Sequence, residues 1–112
     1  LLTSARIHAQ RGDWPAARAD VLRARALLID RPSPEPMLMW QMRSLLAACD
    51  VAQGQPNSES ETQLRESYEQ IAKIKGPTHL RARKAAARVA GYHERAGEAD
   101  KAAAYRDLAQ RP

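Results

Sequence analysis

The sequence predicts an all-α fold of six helices, arranged as three helical hairpins in a solenoid. Three observations carry this reading. Apolar residues recur at helical spacing along nearly the whole chain. Hydrophobic residues reach 44% while aromatics stop at 4%, with no Phe and few β-branched residues, so the core must come from Ala, Leu, Ile, Val and Met. That palette suits closely packed helices and argues against sheets. Finally, Gly12, Gly54 and Gly97 each follow one helical stretch and precede another, 42 and then 43 residues apart. A fixed period in this range marks a helical repeat array.

The elements follow in order. Leu2, Ala5 and Ala9 share a face of the first helix, which Gly12 ends. Asp13 is an N-cap for the second helix, and Pro15 sits in its first turn, where the missing N–H costs nothing. Ala17, Val21, Ala24 and Leu28 form its apolar stripe. RPSPEP, residues 31–36, breaks the chain. Leu38, Met42, Leu45, Cys49 and Ala52 make the third stripe. The polar stretch GQPNSESE follows, in which Ser58 and Glu61 have capping-box spacing. Leu64, Tyr68 and Ile71 mark the fourth helix, and GPT at 76–78 is a turn. Ala82, Ala86, Val89, Ala90 and His93 make the fifth stripe; Ala102, Tyr105 and Ala109 make the sixth. The hairpins span approximately 1–31, 35–75 and 78–111 of a single domain covering residues 1–112.

QRGDWPAARADVL and ERAGEADKAAAYRDL share one order: helix end, glycine, acid, alanine-rich helix start. This resembles the tetratricopeptide repeat (TPR) family, in the long 42-residue variant found in kinesin light chains and many bacterial signalling proteins. Gly12 and Trp14 match the family's turn glycine and turn aromatic. Ala17 and Ala24 match the two small residues of the second helix, and Gly97, Ala102 and Ala109 do the same in the third unit. KGPTHLRARKAAARVA, from residue 75, resembles the linker and first helix of the long variant, with His79 ordering the linker by hydrogen bonding. The resemblance implies a right-handed solenoid. The middle unit departs from the pattern: Ser60 and Glu61 stand near the small-residue position, and the longer turn is expected to be irregular.

No catalytic chemistry emerges. HERAG at 93–97 lacks the second histidine of a zinc-protease HExxH, and His8, His79 and His93 lie far apart, so no metal or cofactor is expected. Cys49 lies on an apolar stripe and reads as a small core residue. Ser44, Ser58 and Ser60 have no nucleophile-elbow setting, and no phosphate-binding glycine loop exists. The lone cysteine excludes an internal disulfide, which fits a cytoplasmic protein. No apolar run is long enough to span a membrane. The preponderance of Arg over Lys points to a GC-rich, bacterial source. The chain starts without Met, inside a helical pattern, and is read as a piece of a longer protein, with the tail of a Ser/Thr kinase or regulator as the suggested parent.

What remains is surface. The net charge of +5 favours an acidic partner. In the resembled family, the first helices of successive hairpins line a concave peptide-binding groove. That placement implies Arg6 and Gln10 on the first hairpin, Gln41 and Ser44 on the second, and Lys84, Arg88 and Arg95 on the third. Lys84 and Arg88 are four residues apart, hence on one face, where two cations can grip a carboxylate or phosphate. Some family members hold a peptide's terminal carboxylate with a Lys, an Arg and two Asn. Lys84 and Arg88 stand where that pair would sit, but Arg6 and Leu45 stand near the Asn positions, which points to a looser acidic-peptide groove. Trp14 is read as packed between hairpins. Trp40, among Met37, Leu38, Met39 and Met42, is read as inter-hairpin core.

The main reading is thus a non-catalytic interaction module for a protein or peptide ligand. Nucleic acid fits less well: RARKAAAR, residues 81–88, concentrates positive charge on one helix, but the charge is otherwise spread, +2 over residues 1–56 and +3 over residues 57–112, and no stacking aromatics or helix-turn-helix appear. Self-association through Leu1, Leu2 and Ile7 on the first helix is the structural alternative.

Overall fold

The computed structural model describes residues 2–28, 36–54 and 57–111. All regular structure among them is helical: α1 Thr3–Gln10, α2 Trp14–Leu28, α3 Pro36–Gln53, α4 Ser58–Lys75, α5 Leu80–Arg95 and α6 Ala99–Gln110. The break expected at residues 31–36 lies outside the described residues up to Pro36, which opens α3, as do Leu1 and the side chain of Leu28.

Two turns are built alike. At Gly12 the chain enters the left-handed region (φ 76°), and the amides of Gly12 and Asp13 donate to the carbonyls of Ala9 (3.1 Å) and His8 (2.8 Å). At Gly97 φ is again 76°, and the amides of Gly97 and Glu98 donate to Glu94 (3.2 Å) and His93 (2.8 Å). This crossed pair of bonds is a Schellman motif, which satisfies carbonyls that a helix end would otherwise leave open. The next residue then starts a new helix: Ala17 donates to the Asp13 carbonyl and Ala102 to that of Glu98, both at 3.0 Å. Asp13 adds a long side-chain cap to the Ala16 amide (3.4 Å).

The middle of the chain is built differently. Gly54 follows α3 but has no positive φ, so the left-handed closure of the other two turns is not used there. The expected capping box shifts by one residue. Asn57, not Ser58, is the N-cap of α4, and its side chain accepts the Ser60 amide at 2.9 Å. An amide oxygen at that position reaches the third helical N–H as readily as a hydroxyl does. Between α4 and α5, Gly76 takes φ 97° and donates to Ala72 (2.8 Å). His79 then caps α5, its Nδ1 accepting the Arg81 amide at 3.1 Å, which is the form taken by its expected linker role.

Each helix packs on the next, and α3 also contacts α1 and α5. The core therefore runs along α3, the most apolar of the helices. Leu2, Ala5, Val21, Ala24, Met42 and Leu45 join α1, α2 and α3. Ala47, Val51, Leu64, Val89 and Tyr92 join α3, α4 and α5, as do Met37, Ile71, Ala82 and Ala85, with Trp40 against them. Trp40 also carries the Arg43 guanidinium 4.7 Å above its ring. Alanines let α5 approach closely: Ala82, Ala85, Ala86 and Ala90 are fully buried. The few aromatics tie the last helices together. Tyr105 stacks on His93 (5.7 Å, 20°) and meets Tyr68 edge-on (5.9 Å, 87°). The radius of gyration, 13.3 Å, is that of a compact chain of this length, about 13 Å.

Leu2 was expected at a self-association contact. It is only 2% exposed, because it packs into the α1–α2–α3 cluster of its own chain, while Ile7 remains at the surface.

Candidate functional site, a groove along α1, α3 and α5

The contacts of α3 with α1 and α5 set these three helices side by side. Two adjoining cavities, each of about 200 Å³, open between them. One is lined by Arg6, Ala9 and Gln10 of α1, Trp14, Leu45 of α3, and Lys84, Ala87 and Arg88 of α5. The other is lined by Ala48, Val51 and Ala52 of α3 and by Gly91, Tyr92 and Arg95 of α5. Trp14, Ala87 and Arg88 border both.

All seven residues expected at a groove come to this face or bond to it. Arg6, Gln10, Lys84, Arg88 and Arg95 line the cavities. Gln41 and the fully buried Ser44 lie one layer back as neutral acceptors. Arg6 Nη2 donates to Gln41 Oε1 at 2.7 Å, and Arg88 Nη1 donates to Ser44 Oγ at 2.9 Å. These bonds fix the direction of two guanidinium groups without neutralising them. Gln10 and Arg95 are exposed and make no such bond among the described residues.

The electrostatics are one-sided. Among the described residues, no Asp or Glu lines either cavity. Among the described residues, none of Arg6, Arg81, Lys84 and Arg88 pairs with a carboxylate, whereas elsewhere Arg18 pairs with Asp50, Arg65 with Glu61 and Arg106 with Glu94. Burial, then the like charges of Arg6 and Arg81, push the Arg88 guanidinium down to about 10. Burial and Arg81 lower Arg6 as well. A partly buried guanidinium beside two like charges is a destabilising arrangement, and such departures concentrate where a ligand supplies the missing partner.

Two contributors are not among the groove residues expected from the sequence, although Arg81 opens the basic stretch at 81–88. Arg81 stands close enough to depress both Arg6 and Arg88, and its spacing from Lys84 and Arg88, three and seven residues, would have put it on the same face. Trp14, read only as packed between hairpins, is half-buried at the start of α2 and forms the shared wall of the two cavities.

Cys49 is buried beneath the groove, where burial and neighbouring Asp50 raise its thiol pKa and hold it neutral. Among the described residues no three His, Cys, Asp or Glu side chains come together as a metal site requires. Among the described residues no helix is long and apolar enough to cross a membrane. No family model, curated protein or solved structure matches the chain.

Proposed function

We propose that the chain is a non-catalytic interaction module, a TPR-like right-handed solenoid of three hairpins. Its groove along α1, α3 and α5 holds an acidic segment of a partner protein. The observation that carries the reading is Arg88: a partly buried guanidinium, oriented by Ser44, with Arg6, Arg81 and Lys84 nearby and no carboxylate paired with any of the four among the described residues. An acidic side chain entering the groove would relieve the repulsion and accept bidentate, charge-assisted bonds in a partly dry setting. The solenoid reading is supported by the two matching Schellman turns, by the matched helix starts after them, and by the adjacency of α1, α3 and α5.

The test compares two labelled peptide pools of matched length, one rich in Asp and Glu, the other with Asn and Gln in their place. Wild type should bind the acidic pool at least about tenfold more tightly, and Lys84→Gln/Arg88→Gln should abolish that preference, since charge-assisted bonds contribute about 1.5–3 kcal/mol each. Equal binding of the two pools, or a double variant that keeps the preference, would overturn the reading.

A further inference from the structure

The groove also has an apolar half, and one residue in it has no structural explanation. Gly91 sits in the middle of α5, where glycine weakens a helix relative to alanine. It has no positive φ, so no turn demands it. A Cβ placed on it would meet nothing within 4 Å, so no close approach within the chain demands it either. What a side chain there would do is fill the second cavity, whose wall is mostly apolar, with Trp14, Ala48, Val51, Ala52, Ala87 and Tyr92, and carries Arg88 and Arg95 at its border. Four of the residues bounding that space, Ala48, Ala52, Ala87 and Gly91, are small and stand on the facing helices α3 and α5. The cavity joins the cationic one through Trp14, Ala87 and Arg88.

The geometry points to a bipartite peptide site. The cationic half takes an acidic side chain, and the apolar half, kept open by Gly91, takes a large aliphatic or aromatic side chain of the same segment. The occupant is therefore a short stretch of a partner protein in which an acid and a large apolar residue stand at one fixed, short spacing. Charge complementarity fixes the first half. The missing Cβ at a helical position without a local reason for glycine fixes the second, which makes Gly91 a specificity-determining residue. This inference rests on the groove reading above and adds the second ligand feature.

The experiment is selection of a random heptapeptide phage library on three baits: wild type, Gly91→Leu and Lys84→Gln/Arg88→Gln. Circular dichroism confirms that each remains helical, and Gly91→Ala serves as a milder second variant. Wild type should enrich peptides with Asp or Glu at a constant distance from Leu, Ile, Phe, Tyr or Trp. Gly91→Leu should keep the acidic preference and lose the apolar one, with selected wild-type peptides binding it at least tenfold more weakly; Gly91→Ala should weaken them less. The cation double variant should lose the acidic preference. Enrichment of acids with no apolar partner, or unchanged selection by Gly91→Leu, overturns the bipartite site and leaves the acidic groove standing. No enrichment of acids on wild type overturns both.

Discussion

His8 and His93 occupy equivalent positions in the two glycine turns, and each meets a carboxylate from a different place. Each backbone carbonyl accepts, at 2.8 Å, the amide of the residue after the turn glycine. Each ring Nδ1 lies against a carboxylate: Asp20 at 2.8 Å for His8, Glu98 at 3.1 Å for His93. A carboxylate only accepts, so Nδ1 carries the proton in both. The difference follows from the second helix. Asp20 comes from the interior of α2, and in α6 the corresponding place is taken by Tyr105, whose ring stacks on His93. The carboxylate function moves instead to Glu98, at the helix start. One turn design thus accommodates two side-chain solutions.

The turn glycines should be intolerant of any side chain, for a backbone reason alone. Nothing lies within 4 Å of a Cβ added at Gly12 or Gly97, but both residues have φ 76°. The left-handed conformation costs a residue with a Cβ about 1–2 kcal/mol. Gly12→Ala and Gly97→Ala should each lower the stability by that amount in urea unfolding with an unchanged m-value. Gly54→Ala, with no positive φ, should escape this backbone penalty and show only the smaller cost of a Cβ 3.3 Å from the Asp50 carbonyl oxygen. Equal losses at all three positions would contradict this account of the turns.

The histidine–carboxylate pairs set an acid limit on stability. The Ser4 hydroxyl and then His8 hold the Asp20 carboxyl below its usual range; His93 and then Lys101 do the same for Glu98. A carboxyl depressed in the folded state contributes stability that is present above its unfolded value, about 4, and is lost as pH falls through the folded value. Wild type should therefore lose stability below about pH 4. Asp20→Asn and Glu98→Gln should start less stable at neutral pH and show a shallower acid limb. Thermal melts from pH 7 down to 2.5 measure this; parallel acid limbs for variants and wild type would count against the pairs.

Gly91 offers a separation of stability from binding. Replacing a mid-helix glycine by alanine gains about 1 kcal/mol when the backbone is already helical and nothing clashes, and both conditions hold here. Gly91→Ala should raise the melting temperature by about 4 °C or somewhat more. A fall in melting temperature would mean that the glycine serves α5 itself, and its assignment to the groove would be withdrawn.

Much of this architecture was legible because helices advertise themselves through periodicity. The stripes through Val21, Met42, Leu64 and Val89 are buried as their spacing implies, and Gly12 and Gly97 end helices as glycines in the left-handed region do. The misses have local causes. Asn57 and Ser58 are both good caps, and spacing alone does not decide which oxygen reaches the amide at Ser60. Gly54 fits the repeat period, but period carries no information about φ. Leu2 lies next to the chain start, yet α1 needs an apolar anchor on Val21 and Met42, and Leu2 supplies it. At the groove, Lys84 and Arg88 were readable as one face. The depth of Arg88 and the apolar half beside it depend on how α1, α3 and α5 approach, which the one-dimensional pattern does not encode.

The depth of Arg88 leads to the prediction that most sharply separates a structural cation from a ligand-binding one. In the free protein its guanidinium is partly out of water and repelled by Arg6 and Arg81, with Ser44 as its only hydrogen-bond partner among the described residues. Methionine has comparable reach, so Arg88→Met keeps the packing of the aliphatic stem while removing the charge. The variant should be more stable than wild type by about 1 kcal/mol or more near pH 7, even though Ser44 loses its donor, because a hydroxyl can turn back to a carbonyl of its own helix. The pH dependence gives the sign independently. With a folded value of about 10, below the unfolded one, the unfolded chain holds the proton longer. Wild-type stability should then rise relative to Arg88→Met as pH climbs past 10, closing the gap. Unfolding of both proteins in urea at pH 7 and 10.5 measures the difference. A variant less stable than wild type at pH 7 would show that Arg88 is there to hold the fold, and the groove would lose its strongest argument.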